Sequence, residues 1–107
     1  SYINRAFEAI LRRRRIALFV AIIKRVEQEI RNVEGFDVAI KASVEPSLPK
    51  YAPKYARAAR NAFTVADWKR GRFERHYPGV EVDVLRADGR VANGRTTLAN
   101  VRAEYEA

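Results

Sequence analysis

Apolar side chains recur at helical spacing through the first third of this 107-residue chain. Ile3, Phe7, Leu11, Leu18, Ile22, Val26, Ile30 and Val33 stand three, four or seven positions apart, so they share one face of a 3.6-residue repeat. Only Arg14 interrupts that stripe. A helix over residues 3–33 is about 46 Å long at 1.5 Å per residue, whereas a compact chain of this size has a radius of gyration of only about 13 Å. The helix therefore outreaches its own domain. Either it breaks near the arginine block or one end is covered by another subunit or protein, and the second is the expectation.

Within that helix, residues 11–25 read LRRRRIALFVAIIKR. The uninterrupted apolar run, residues 16–23, is far short of the about 20 residues that a spanning helix needs, so no transmembrane segment is expected. An interfacial helix is a lesser alternative. Ile16, Phe19, Val20 and Ile23 lie off the main stripe and make the middle of the helix apolar on nearly every side, as in a helix covered from two directions. Arg12, Arg13, Arg14 and Arg15 step by 100° each and encircle the helix. The bland reading is that their aliphatic stems lie on the surface while the guanidinium groups reach water. The functional reading is a collar that meets phosphate or carboxylate, for which a planar five-donor group is suited.

After Gly35 the period changes from helical to alternating. Phe36, Val38, Ile40, Ala42 and Val44 predict a half-buried strand over residues 36–45. Pro46, Pro49 and Pro53 predict an extended connection over 46–53, a surface linker or a segment docked on a partner. Residues 54–77 read as two short helices. Tyr55, Ala58, Ala59 and Phe63 mark the first, and Thr64 with Asp67 caps the second, which carries Trp68, Phe73 and Tyr77 and ends at Pro78 and Gly79. Phe63 in the turn and Gly71 in the second helix argue against a DNA-reading helix-turn-helix. Val80, Val82 and Val84 predict a second strand, followed by the turn signals Asp88-Gly89 and Asn93-Gly94. The last segment is ambiguous: Thr97, Ala99, Val101, Ala103 and Tyr105 alternate, while Leu98, Val101 and Tyr105 align as a helix. A returning strand that closes a hairpin is the expectation. The fold class read from this pattern is α+β: one domain over residues 1–107, with a long N-terminal helix packed on a small, mainly antiparallel sheet and two short middle helices.

Composition excludes several classes of chemistry. The chain has no cysteine and a single histidine, so disulfides and thiolate metal sites are out of reach. It carries no phosphate-binding glycine loop, clustered carboxylate site or nucleophile motif, and no cofactor or metal is expected. The formal net charge is +8 and it is unevenly spread. Residues 50–75 hold eight Lys or Arg against Asp67 and Glu74, while residues 26–49 hold five acids against Arg31 and Lys41. Basic blocks beside Tyr51, Tyr55, Trp68 and Tyr77 suit phosphate attraction with base stacking, although aromatics at helical spacing are more often core.

The leading expectation is a non-enzymatic module whose partner is nucleic acid, DNA or RNA, or an acidic protein surface. Phosphate contacts are assigned to Arg12, Arg13, Arg14, Arg15, Lys69, Arg70, Arg72, Arg75, Arg86, Arg90 and Arg95. The alternative is a structural subunit of a virion or other large assembly, a homo-oligomer or one part among several, with the long helix and Pro-rich segment buried by neighbours. A third reading is a small ribonuclease centred on His76, near Glu74, Arg75 and Tyr77. A histidine at a helix end is more often a surface or capping residue. The expected location is the cytoplasm or a virion.

Overall fold

The computed structural model describes residues 2–41, 48–53 and 57–106. The first helix, α1, spans Tyr2–Glu34 and runs unbroken through the arginine block. Its 33 residues extend about 50 Å, and the molecule measures 59 × 29 × 20 Å with a radius of gyration of 16.6 Å. The helix thus makes the long axis and projects from the body. It stops at Gly35, whose φ of 85° is open to glycine at little cost and whose N–H still reaches the Arg31 carbonyl at 3.0 Å.

Strand β1, Val38–Lys41, pairs antiparallel with β2, Glu81–Val84, in the register Val38↔Val84 and Ile40↔Val82. All four of these residues are buried, as the alternation requires, while Lys41 and Asp83 on the other face form an ion pair at 2.8 Å. The remainder of the expected first strand, residues 42–45, lies outside the described residues. β1 packs on the C-terminal end of α1, where the Glu27 carboxylate accepts the Ile40 N–H at 2.9 Å.

The Pro-rich connection has no regular structure over residues 48–53, as its composition predicts, and residues 46–47 lie outside the described part. It is not a linker on the surface. Leu48, Tyr51 and Pro53 are buried, and the Pro49 carbonyl accepts the Tyr77 hydroxyl at 2.9 Å.

The first of the two expected middle helices is a correction: residues 57–60 are irregular, residues 61–63 form a turn, and Tyr55 lies outside the described residues. Tertiary partners take the backbone there. The Ala59 N–H goes to the Glu34 carboxylate at 2.7 Å, and its carbonyl accepts from Arg102 at 2.7 Å. What remains is one helix of three consecutive parts, here α2: Val65–Trp68, a π-helical turn Lys69–Phe73, and Glu74–His76. Thr64 and Asp67 form the capping box, each side chain accepting the other's N–H at 3.1 Å.

The π turn has a packing consequence. In an α-helix, residues five apart point about 140° away from each other. Closing the i→i+5 bond from the Glu74 N–H to the Lys69 carbonyl adds one residue to the turn, so Trp68 and Phe73 share a face. Their ring centroids lie 5.6 Å apart, Tyr77 continues the row 5.1 Å from Phe73, and Phe36 meets Trp68 edge-on at 5.2 Å. These rings are the centre of the core.

The C-terminal segment is the second correction. Residues Leu98–Glu106 form a helix, α3, and not a returning strand. Thr97 caps it by accepting the Asn100 N–H at 3.2 Å, and Leu98 and Val101 are buried. The open side of β2 is covered instead by the following loop, with the Ala92 N–H on the Val84 carbonyl at 2.8 Å and an isolated Leu85↔Val91 bridge. The fold is α+β.

Candidate functional site

The apolar side chains of α1, on the stripe and off it, divide into two groups. Val26 and Ile30 are fully buried against the body, whereas Phe7, Ile10, Ile16, Leu18 and Val20 keep 41–64% of their surface in water. Leu11, Phe19, Ile22 and Ile23 are half-buried, and the side chain of Ile3 lies outside what is described. Arg12, Arg13, Arg14 and Arg15 are all exposed. Arg14, the misfit on the stripe, causes no conflict because it is itself exposed. Residues 4–25 carry Arg5, the four collar arginines, Lys24 and Arg25 against the single acid Glu8. Arg25 belongs to the body, donating to the Leu48 carbonyl at 2.6 Å.

At the other end of α1 lies a buried ionic centre that sequence reasoning missed. Glu34 is 1% exposed, and its carboxylate accepts four hydrogen bonds. Oε1 takes the Ala59 N–H at 2.7 Å and Arg102 Nη2 at 3.0 Å; Oε2 takes the Tyr51 hydroxyl at 2.5 Å and Arg72 Nη1 at 2.9 Å. Arg102 also donates to the Glu34 main-chain carbonyl at 2.6 Å, and Arg72 to the Arg57 carbonyl. Burial, with Glu34 alongside, pushes the Tyr51 hydroxyl far above its ordinary pKa. A signal was present: Val26, Ile30 and Glu34 stand four apart, so a carboxylate continues the buried face.

This centre changes the reading of Arg72. Its guanidinium neutralises Glu34, so it faces the core while Lys69, Arg70 and Arg75 remain at the surface. Lys69 and Arg70 line an open groove of about 460 Å³ beside Phe73 and the β2 edge, where Glu74, Glu81 and Asp83 offset their charge. In the following loop Arg86 pairs with Glu104 at 3.1 Å and Arg90 with Asp88 at 2.8 Å, while Arg95 is exposed. No family model, characterised protein or solved structure matches the chain.

The two exposed basic regions are not one site. Arg14 lies twenty residues before Glu34, about 30 Å along the axis, and Arg72 marks the level of Glu34. His76 is half-buried, with Nδ1 2.9 Å from the Arg72 carbonyl and its ring 4.9 Å from that of Tyr51. Its neighbours Glu74 and Arg75 point to solvent. No group of three metal-ligating side chains occurs among the described residues, and no helix there is long and apolar enough to cross a membrane.

Proposed function

We propose that this chain is a structural docking subunit of a larger assembly, with the body as a platform and the projecting part of α1 as the element that neighbours bury. The observation that carries this reading is the set of five large apolar side chains uncovered on one projecting helix. They leave apolar surface on several sides of one helix, more than the scattered single residues usual on the surface of a monomer. Half-burying five side chains of this size is worth on the order of 5 kcal/mol, comparable to the lower estimates of the freedom lost on association. The chain recovered from the cells that make it should therefore migrate at several times its own 12.2 kDa. Leu18→Glu combined with Val20→Glu should return it to monomer mass with its thermal melt unchanged. Migration of the wild type as a lone chain counts against the reading.

Nucleic-acid association is the second reading, favoured by the exposed collar together with Arg70 and Arg75. It calls for a steep loss of affinity with salt, and Arg12→Gln with Arg13→Gln should flatten the slope by up to about two units. Arg72→Gln should leave the slope unchanged. Absence of binding to both DNA and RNA at low salt removes this reading.

A further inference from the structure

Resting on the docking reading, we propose that the partner covering residues 4–25 is a protein whose apolar groove is rimmed by carboxylates. Two properties of the helix lead there. The first is that its uncovered side chains point to opposite sides. At 100° per residue, Ile16 and Val20 lie roughly opposite Leu18, while Ile10 projects to a third side. The occupant must therefore reach more than one side of the helix, as a deep groove or helices packed along it do and a bilayer surface does not. Interfacial helices instead keep a polar face toward water.

The second property is charge. Arg25 aside, which pairs with Glu29 and binds the body, six basic residues stand against Glu8 over this stretch, and among the described residues no ion pair engages Arg12, Arg13, Arg14 or Arg15. A second copy would supply apolar surface but would bring an equally cationic helix against this one, and like charges across an interface disfavour pairing. Nucleic acid would satisfy the arginines and leave Leu18 and Ile16 in water. Carboxylates around an apolar groove meet both requirements, and arginine is the cation best fitted to bind them in bidentate fashion.

The test uses the whole chain and two synthetic helical peptides of about four heptads. Both have leucine at the a and d positions; one carries glutamate and the other lysine at e and g. Fluorescence anisotropy with labelled peptide should show the glutamate peptide binding at least about tenfold more tightly, with the margin shrinking as salt screens it. Arg12→Gln with Arg15→Gln should narrow that margin, and Leu18→Glu should weaken both peptides.

Equal binding of the two peptides overturns the acidic partner while leaving the docking reading intact. Binding of neither overturns both. A concentration-dependent dimer in sedimentation equilibrium that excludes the glutamate peptide assigns the helix to a second copy. Tighter binding to a DNA duplex, an RNA hairpin or phosphatidylglycerol vesicles than to that peptide assigns it to nucleic acid or membrane. Each of these last results also overturns the proposal.

Discussion

Arg102 closes over the end of α1 by holding Glu34 twice: Nη2 donates to its carboxylate at 3.0 Å and Nε to its main-chain carbonyl at 2.6 Å. The two residues are 68 positions apart, so this guanidinium ties the last helix to the first. Arg72 binds the same carboxylate from α2. Three helices therefore meet at one buried charge.

Removing a partner from such a centre strands the charge that remains. Arg102→Ala should lower stability by about 3–5 kcal/mol, and Glu34→Ala by a similar amount, because either leaves an uncompensated buried ion. Replacing Glu34, Arg72 and Arg102 together with apolar residues of similar volume should be much less damaging than the sum of the single changes. Urea denaturation of the single and triple variants measures this. Additive losses would refute the coupling.

The tyrosines of the core predict an alkaline limit. Burial raises Tyr77 to about 12, and burial beside Glu34 raises Tyr51 further. As pH climbs above about 10, the unfolded chain releases these protons before the folded one does. Stability that is complete below that pH is then lost as it rises through the Tyr77 value and beyond. Denaturation midpoints from pH 8 upward should fall with this profile, and Tyr51→Phe should flatten the limb while costing about 1–3 kcal/mol at neutral pH through its lost bond to Glu34. An unchanged limb in the variant contradicts the assignment.

Gly71 tests the π turn. A Cβ added there meets nothing within 4 Å, and its φ is not in the left-handed region, so Gly71→Ala should be neutral or stabilise by up to about 1 kcal/mol. Inserting an alanine after Gly71 should exceed the single residue that the π turn absorbs and rotate Phe73 away from Trp68. The loss should then approach the about 3–5 kcal/mol of a Phe truncation. Thermal melts of both variants distinguish a local propensity effect from a register effect; equal melts would show that the register is unimportant.

The divided stripe of α1 makes a paired prediction. Ile30→Ala should cost about 2–5 kcal/mol, since Ile30 is fully buried. Leu18→Ala in the isolated chain should change stability by no more than about 0.5 kcal/mol, since the side chain is largely in water. A large loss at Leu18 in the monomer would mean that the body covers it.

Local signals were legible from the sequence alone. The 3.6-residue period set the length of α1, Gly35 marked its end, apolar alternation located both strands, and the Thr64–Asp67 spacing located the start of α2, because each depends on residues within a turn or two of one another. The exposed collar was legible for the same reason, since four consecutive arginines must encircle a helix. Residues 97–106 were not: Val101 and Tyr105 fit both periods, and the choice came from the Thr97 cap and from Arg102 reaching Glu34 across 68 positions. The same carboxylate turned Arg72 inward and drew the Ala59 backbone out of helical bonding. Periodicity could show that Phe7 and Leu18 share a face with Ile22 and Val26, but only the placement of the body decided where burial stops, because a side chain is covered by what lies opposite it in space and not by its neighbours along the chain.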